Sequence, residues 1–217
     1  MARGSWIDRQ LRARGIVDER VLAAMAAVPR EQFVPAELRE SAYADSAIPL
    51  PHGQTVSQPY IVALICQALA IDPGDRVLDV GTGSGYQAAV LAELGAEVHS
   101  VERIAELAEG ARAALAATGY ERVDVRVGDG SLGLPDAAPF AAIAVAAAAA
   151  EVPLPLWQQL ADGARIALPL ESRFGQRLCV FERNAAGHKL VAAVPARFVP
   201  LVVQGTGARD PARREGC

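Results

Sequence analysis

Beyond residue 72, short apolar segments alternate with segments in which apolar residues recur at helical spacing. Strands joined by helices favour a parallel sheet, because parallel neighbours need a long crossover connection. The pattern predicts an α/β fold with a doubly wound, mostly parallel sheet that binds ligands at the carboxyl ends of its strands. The predicted strands are residues 76–80, 97–101, 124–127, 141–146 and 165–168, and the predicted helices are residues 86–94, 104–118 and 154–160.

Further elements flank this predicted core. Residues 6–14 and 18–27 show helical periodicity with Gly or Asp at their ends, which predicts an N-terminal helical segment. Residues 40–59 are rich in Ser, Pro and Gly, which predicts a long loop before a helix over residues 59–69. Two strands that we expect to pair antiparallel at the sheet edge are residues 177–183 and 189–197.

The chain has 217 residues, of which 52% are hydrophobic, and this suits one domain with a large core. We expect a single domain over residues 1–203. Within it, residues 1–56 supply the N-terminal helices and a loop, and residues 57–203 supply the ligand-binding core. Residues 204–217 offer little apolar anchorage, which predicts a disordered tail.

Charge and composition exclude several classes of function. The net charge of −4 argues against nucleic-acid binding, which needs a basic surface. The most apolar stretch, residues 137–150, is shorter than the ~20 residues of a membrane-spanning helix, so no membrane association is expected. The three cysteines and three histidines are scattered along the chain, without metal-ligand spacing. We therefore expect a cytoplasmic monomer without a bound metal.

A glycine-rich turn follows the first predicted strand. Gly81, Gly83 and Gly85, with Thr82 and Ser84 between them, form a candidate cofactor turn, because a chain without Cβ atoms allows close approach of a ligand. Such a turn can also be a tight connection between a strand and a helix and nothing more. The neighbouring acidic residues decide between these interpretations.

Acidic residues stand at the ends of the first three predicted strands. Glu102 follows the second strand, where a carboxylate can accept hydrogen bonds from ribose hydroxyls. Asp129 and Gly130, which follow the third strand, are expected to bind the cofactor, with Asp129 near an adenine. Asp79 precedes the glycine turn and would suit a cationic group, or it is a solvated acid without a ligand. The G-x-G-x-G spacing, unlike G-x-G-x-x-G, favours S-adenosylmethionine over a nicotinamide cofactor.

Together with further segments of the chain, these motifs resemble the protein-L-isoaspartate O-methyltransferase family, from about residue 11 to residue 202. The Gln-Thr-Val-Ser-Gln-Pro element at residues 54–59 carries the resemblance more specifically than the glycine turn does. Other matching segments are residues 27–35, 77–87, 101–104, 128–130 and 197–202.

This resemblance implies a Rossmann-like class I methyltransferase. It would methylate the side-chain carboxylate of L-isoaspartyl residues in damaged proteins and peptides and so initiate repair through a succinimide. The resemblance also implies that Ser57 is the catalytic residue, with Thr55 beside it, and that the substrate-binding loop comprises Gln54, Thr55, Val56 and Ser57. Serine is also a favoured helix cap, so Ser57 has the alternative role of capping the helix that follows.

A carboxylate is already ionised near neutral pH, since its unperturbed pKa is about 4. Methylation of a carboxylate therefore needs alignment and exclusion of water, and it needs no general base. Two other functions stay open at this stage. One is a carboxylate methyltransferase dedicated to an aspartate in a single peptide or protein, and the other is a non-catalytic protein that binds S-adenosylmethionine.

One stretch departs from the family pattern. Alanines occupy residues 146–150, where the family often has a polar, proline-containing run, and Ala141 replaces the usual aspartate after Phe140. We interpret these changes as alanine-rich drift. The alternative is that they weaken contacts to the isoaspartyl backbone.

Overall fold

The computed structural model describes residues 6–173 and 175–202. Five α-helices lie in this part of the chain: α1 (Glu19–Ala27), α2 (Pro59–Leu69), α3 (Tyr86–Glu93), α4 (Ala105–Ala117) and α5 (Leu154–Gln159). None of the helices in these ranges is both long and apolar enough to cross a membrane. The predicted tail at residues 204–217 lies outside the described residues.

Nine strands are described. They are β1 (Ile48–Pro49), β2 (Thr55–Val56), β3 (Arg76–Val80), β4 (Glu97–Glu102), β5 (Asp124–Val127), β6 (Phe140–Val145), β7 (Leu160–Ser172), β8 (Gly175–Asn184) and β9 (Gly187–Pro195). Seven of them form one sheet in the order β5-β4-β3-β6-β7-β8-β9, while β1 and β2 form a separate antiparallel hairpin.

The sheet has the predicted doubly wound topology. Strands β3 to β7 run parallel, and β8 and β9 extend the sheet with antiparallel pairs. The chain leaves β3 towards β4 and β5 on one side and returns to β6 on the other side. This reversal of strand order is where α/β sheets bind ligands. The antiparallel edge predicted from residues 177–183 and 189–197 is therefore confirmed.

Alternation along the central strands supplies a core on each face of the sheet. Val77 packs in the larger apolar cluster with α1, α2 and α3, whereas Leu78 packs in the second cluster with residues of α5. Strand β6 repeats the alternation, since Ala144 lies in the first cluster and Ile143 in the second. A parallel strand covered on both faces reads as a continuous apolar run, which is why these strands were predictable.

Three local predictions need correction. Residues 6–14 form a π-helical turn (Ile7–Leu11) and a 3₁₀ turn rather than one helix, and Gly15 ends them at φ 91°. The predicted loop at 40–59 contains the β1–β2 hairpin. The predicted strand at 165–168 is the middle of the longer strand β7, because Gly163 and Pro169, which read as turn residues, lie within the strand.

Candidate functional site

The glycine turn connects β3 to α3 in a conformation that only glycine adopts readily. Gly81, Gly83 and Gly85 have φ values of 91°, 54° and 90°. Positive φ is costly for residues with a Cβ atom, so three such positions in five residues require the sequence observed here. The Gly81 N–H donates to the Val101 carbonyl at 2.8 Å and joins the turn to the end of β4.

Glu102 holds the same turn from the end of β4. Its Oε2 accepts a hydrogen bond from the Gly83 N–H at 3.0 Å, and its Oε1 accepts one from the Ile104 N–H at 3.0 Å. Only 6% of Glu102 is exposed. Each carboxylate oxygen keeps further acceptor capacity, so the side chain can hold the turn and still accept from a ligand.

Asp79 is completely buried, so the alternative of a solvated acid at this position is wrong. Its Oδ1 accepts from Gln87 Nε2 and its Oδ2 from Ser100 Oγ, both at 2.7 Å. Ser100 Oγ lies 2.6 Å from Thr82 Oγ1 in the glycine turn. Burial raises the pKa of Asp79, although the two hydrogen bonds oppose this shift. The Asp79 side chain is thus linked to Thr82 of the glycine turn through Ser100.

An inner cavity lies over the turn. Of the residues predicted from the sequence, ten line it, namely residues 54–57, residues 81–84, Glu102 and Gly130. Its remaining lining residues are Val62, Val80, Tyr86, Gln87, Val101, Arg103, Ala146, Ala147 and residues 199–202. The structure therefore brings the predicted cofactor turn and the predicted substrate loop to one place.

Three predicted cofactor residues, Asp79, Gly85 and Asp129, are not in the lining of the inner cavity. Gly85 is the N-cap residue of α3, and a Cβ atom there would lie 3.2 Å from Leu115 Cγ. Asp129 accepts from the N–H and the Oγ of Ser131 at 2.9 and 2.7 Å, which fixes the turn after β5. Gly130 itself lines the cavity, and a Cβ atom there would lie 2.5 Å from Val80 Cγ1.

The substrate loop predicted at residues 54–57 belongs to the β1–β2 hairpin. The Leu50 N–H donates to the Gln54 carbonyl at 2.8 Å, and His52 and Gly53 close the hairpin with φ values of 60° and 68°. Ser57 Oγ forms no hydrogen bond with any residue of the described ranges. The alternative role of Ser57 as a helix cap is wrong, because the N-cap position of α2 is Gln58.

An outer cleft adjoins the inner cavity and shares Thr55, Ser57, Ala146 and Val199 with it. Its other lining residues are Arg14, Ala47, Gln58, Tyr60, Ile61, Gly175, Gln176 and residues 195–198. Residues 55–57 therefore stand between two adjoining spaces. A ligand in one space and a second ligand in the other would meet beside Ser57.

Gln87 is a site residue that the sequence analysis missed. It is 7% exposed and lines the inner cavity, and its buried Oε1 has no hydrogen-bond partner among the described residues. Because Asp79 accepts from Nε2, the amide oxygen is the end of this side chain left for a donor. A polar residue in the first turn of a helix that is apolar from Ala88 to Ala92 was the available signal.

Residues 199–202, which form one wall of the inner cavity, were also not predicted as site residues. Residues 199–202 reach the cavity by pairing with the alanine run: the Ala148 N–H donates to the Val199 carbonyl and the Leu201 N–H donates to the Ala148 carbonyl, each at 2.7 Å. These contacts use main-chain atoms, which alanine supplies as well as any residue does. Ala141 lies in a shallow depression with Asp162 and Gly163, and that depression shares no residue with the inner cavity or the outer cleft.

A search against family models matches residues 4–206 to the protein-L-isoaspartate(D-aspartate) O-methyltransferase family. The chain belongs to this family. A protein-L-isoaspartate O-methyltransferase from Koribacter versatilis is 51% identical over 97% of this chain and 94% of its own length. A protein-L-isoaspartate O-methyltransferase 2 from Marinobacter nauticus is 52% identical over 92% of each chain. The resemblance noted in the sequence is confirmed.

Solved structures agree with this assignment. A Plasmodium falciparum structure described as a protein-L-isoaspartate O-methyltransferase in complex with S-adenosyl-L-homocysteine superposes with a TM-score of 0.80 at 25% identity. The alignment covers 91% of this chain and 97% of that one. A second structure of the same name gives a TM-score of 0.78 at 28% identity, covering 91% of this chain and 65% of that one. The predicted fold class is therefore confirmed.

The position of Glu102 leads to a binding prediction. Replacing Glu102 with Ala removes a charged acceptor from the inner cavity, which costs ~1.5 to 3 kcal/mol. We expect the affinity for S-adenosylhomocysteine to fall roughly ten- to two-hundredfold in isothermal titration calorimetry. Glu106→Ala, which makes the same charge change on the exposed first turn of α4, is the control and should bind like wild type. Unchanged affinity in Glu102→Ala would remove Glu102 from the cofactor site.

Proposed function

We propose that this protein transfers a methyl group from S-adenosylmethionine to the free carboxylate of L-isoaspartyl residues in proteins and peptides, which initiates their repair through a succinimide. The observation that carries the proposal is the meeting of the inner cavity and the outer cleft at residues 55–57, in a chain that belongs to the family. In the product, the neighbouring main-chain amide nitrogen can attack the methyl ester carbonyl and expel methanol. The succinimide thus closes without a second active site.

The cofactor predicted from the sequence is confirmed by the family and by the neighbouring structure with bound S-adenosyl-L-homocysteine. The residues in the inner cavity fit such a ligand. The glycine turn offers close main-chain approach, Glu102 offers acceptors for hydroxyls, and the unpartnered Gln87 Oε1 offers an acceptor for an ammonium group. When bound, S-adenosylmethionine supplies an electrophilic methyl group on a positively charged sulfur.

Asp79 acts in this proposal through its neighbours. Its bond to Gln87 Nε2 keeps Gln87 Oε1 free for a ligand, and its bond to Ser100 reaches Thr82 in the turn. The sequence predicted Asp79 near the cationic end of the cofactor. We now assign that contact to Gln87 and keep Asp79 as its support. Asp129 and Gly85 likewise shape the turns on which the lining residues lie.

Ser57 orients the isoaspartyl carboxylate. Its hydroxyl, which is unengaged among the described residues, can donate a charge-assisted hydrogen bond to one carboxylate oxygen and leave the other facing the methyl group. Thr55 supplies a second hydroxyl on the same wall. Ala146 and residues 199–202 close the site with apolar and main-chain surface and keep water from the reacting atoms. No side chain has to remove a proton.

The two alternative functions predict different behaviour. A methyltransferase dedicated to one aspartate would use the same cofactor, and a non-catalytic protein would bind it without turnover. We favour repair because Ser57 keeps its hydroxyl at the junction of the two spaces and because the alanine run contributes through its main chain. We further propose a cytoplasmic, monomeric enzyme with one domain over residues 1–203 and no nucleic-acid partner.

The test of the proposed function compares two peptides of identical sequence, one with L-isoaspartate and one with L-aspartate. We expect transfer of a radiolabelled methyl group to the isoaspartyl peptide at a rate far above that of its twin, in a product that base hydrolyses. Similar rates on both peptides would favour the dedicated-aspartate alternative. Binding of S-adenosylhomocysteine without transfer to either peptide would favour the non-catalytic one.

The Ser57 hydroxyl gives a separate prediction. Ser57→Ala should lose one charge-assisted hydrogen bond, ~1.5 to 3 kcal/mol, and so lower kcat/KM for the isoaspartyl peptide roughly ten- to two-hundredfold. Because Gln58 occupies the N-cap, the melting temperature should stay at the wild-type value. Ser46→Ala, in the same segment but outside both lining sets, is the control. Wild-type turnover in Ser57→Ala would exclude the orienting role.

A further inference from the structure

Arg30 is one of the largest fully buried side chains in the described part of the chain. It follows Pro29 at the start of a 3₁₀ turn (Arg30–Phe33) between the N-terminal helices and the β1–β2 hairpin. Neither the inner cavity nor the outer cleft includes Arg30 in its lining. Any contribution of Arg30 to the reaction must therefore pass through other residues.

The guanidinium of Arg30 joins segments that are far apart in the sequence. Its Nε donates to the Ala42 carbonyl at 2.7 Å, and its Nη2 donates to the Ser57 carbonyl at 2.8 Å. Its Cζ lies 4.5 Å from the ring centroid of Tyr86. Tyr86 is the first residue of α3, directly after the glycine turn, and it lines the inner cavity. The Arg30 guanidinium thus contacts both the segment that carries Ser57 and helix α3, which follows the glycine turn.

This arrangement is expensive for stability. The guanidinium forms no ion pair with a carboxylate of the described residues, and its Nη1 has no hydrogen-bond partner. Burial lowers the pKa of Arg30, although an arginine stays protonated in proteins. Burying a charge without a counter-ion is unfavourable, and an apolar side chain would fill the space at lower cost. What an apolar side chain lacks is a rigid set of donors directed at two carbonyls.

We propose that Arg30 is a positioning residue for methyl transfer, which fixes the main chain of Ser57 against Tyr86 so that the Ser57 hydroxyl faces the junction of the inner cavity and the outer cleft. The kinetic part of this proposal rests on the proposed function. Arg30 does not contact the substrate. It sets the place and direction of a side chain that does, and small displacements of such a group cost much of the rate.

The test uses Arg30→Met, which keeps apolar volume, and Arg30→Lys, which keeps the charge but loses the planar fork. We expect Arg30→Met to lower kcat/KM for the isoaspartyl peptide by at least about tenfold, while the affinity for S-adenosylhomocysteine stays within about threefold of wild type. Arg30→Lys should recover part of the loss. Assays are run well below the melting temperature of each variant. If Arg30→Met does not fold, Arg30→Lys alone must show the same separation of rate from cofactor affinity.

Arg165→Met is the matched control. Arg165 also donates to a main-chain carbonyl, that of Ala68, but lies away from both spaces. It should lower stability and leave kcat/KM unchanged. Arg30→Met that is less stable but has wild-type kcat/KM would overturn the proposal, because Arg30 would then serve folding only.

A second readout does not use the substrate. Hydrogen exchange of residues 48–58 should become at least about tenfold faster in Arg30→Met than in wild type or in Arg165→Met. Unchanged exchange in this segment would overturn the proposal. If the wild-type protein methylates no isoaspartyl peptide, the proposed function fails, and the exchange experiment still decides whether Arg30 holds the Ser57 segment.

Discussion

The hydrogen bond from the Gly83 N–H to Glu102 Oε2 is the contact on which the site depends. It ties the turn after β3 to the end of β4, across the reversal of strand order where an α/β sheet opens to ligands. A carboxylate bound to a main-chain N–H makes a strong hydrogen bond, and the low exposure of Glu102 strengthens it further. With the turn held open, the hairpin carrying Ser57 and the wall at residues 199–202 have a fixed surface to pack against.

Charge is distributed unevenly beneath this surface. Asp79 is buried, burial raises its pKa, and it is linked to the turn through Ser100 and Thr82. Arg30 is buried against Tyr86 and has no carboxylate partner in the described residues. Both charges serve main-chain or amide geometry. Such groups cost stability, and a protein retains them where a defined position is worth more than the lost free energy.

Much of the fold could be predicted from the sequence because the central strands have both faces buried. Strand β3 and strand β5 have the bounds predicted from their apolar runs. Strand β7 was predicted too short, because its start depends on pairing with β6 at Leu160 and its end on pairing with β8 as far as Ser172. Local turn preferences at Gly163 and Pro169 do not contain that information. The hairpin at residues 48–56 was missed because two-residue strands leave no periodicity.

The site was predictable where spacing or family motif fixed it. Glu102 followed from its distance to the glycine turn, and Ser57 followed from the resemblance. Gln87 and residues 199–202 were missed because their places depend on long-range contacts, the first with Asp79 and the second with the alanine run. The burial of Asp79 could not be predicted either, because an acidic residue at a strand end has the same sequence pattern whether solvent or protein surrounds it.

In the proposed function, the isoaspartyl carboxylate reaches the methyl donor at the junction of the inner cavity and the outer cleft. The most direct measurement is a crystal structure of the protein with S-adenosylhomocysteine and an isoaspartyl peptide. We expect the nucleoside over the glycine turn with its hydroxyls on Glu102. The peptide should lie in the outer cleft with its carboxylate within hydrogen-bonding distance of Ser57 Oγ. A peptide carboxylate bound elsewhere, or a nucleoside that does not contact Glu102, would contradict it.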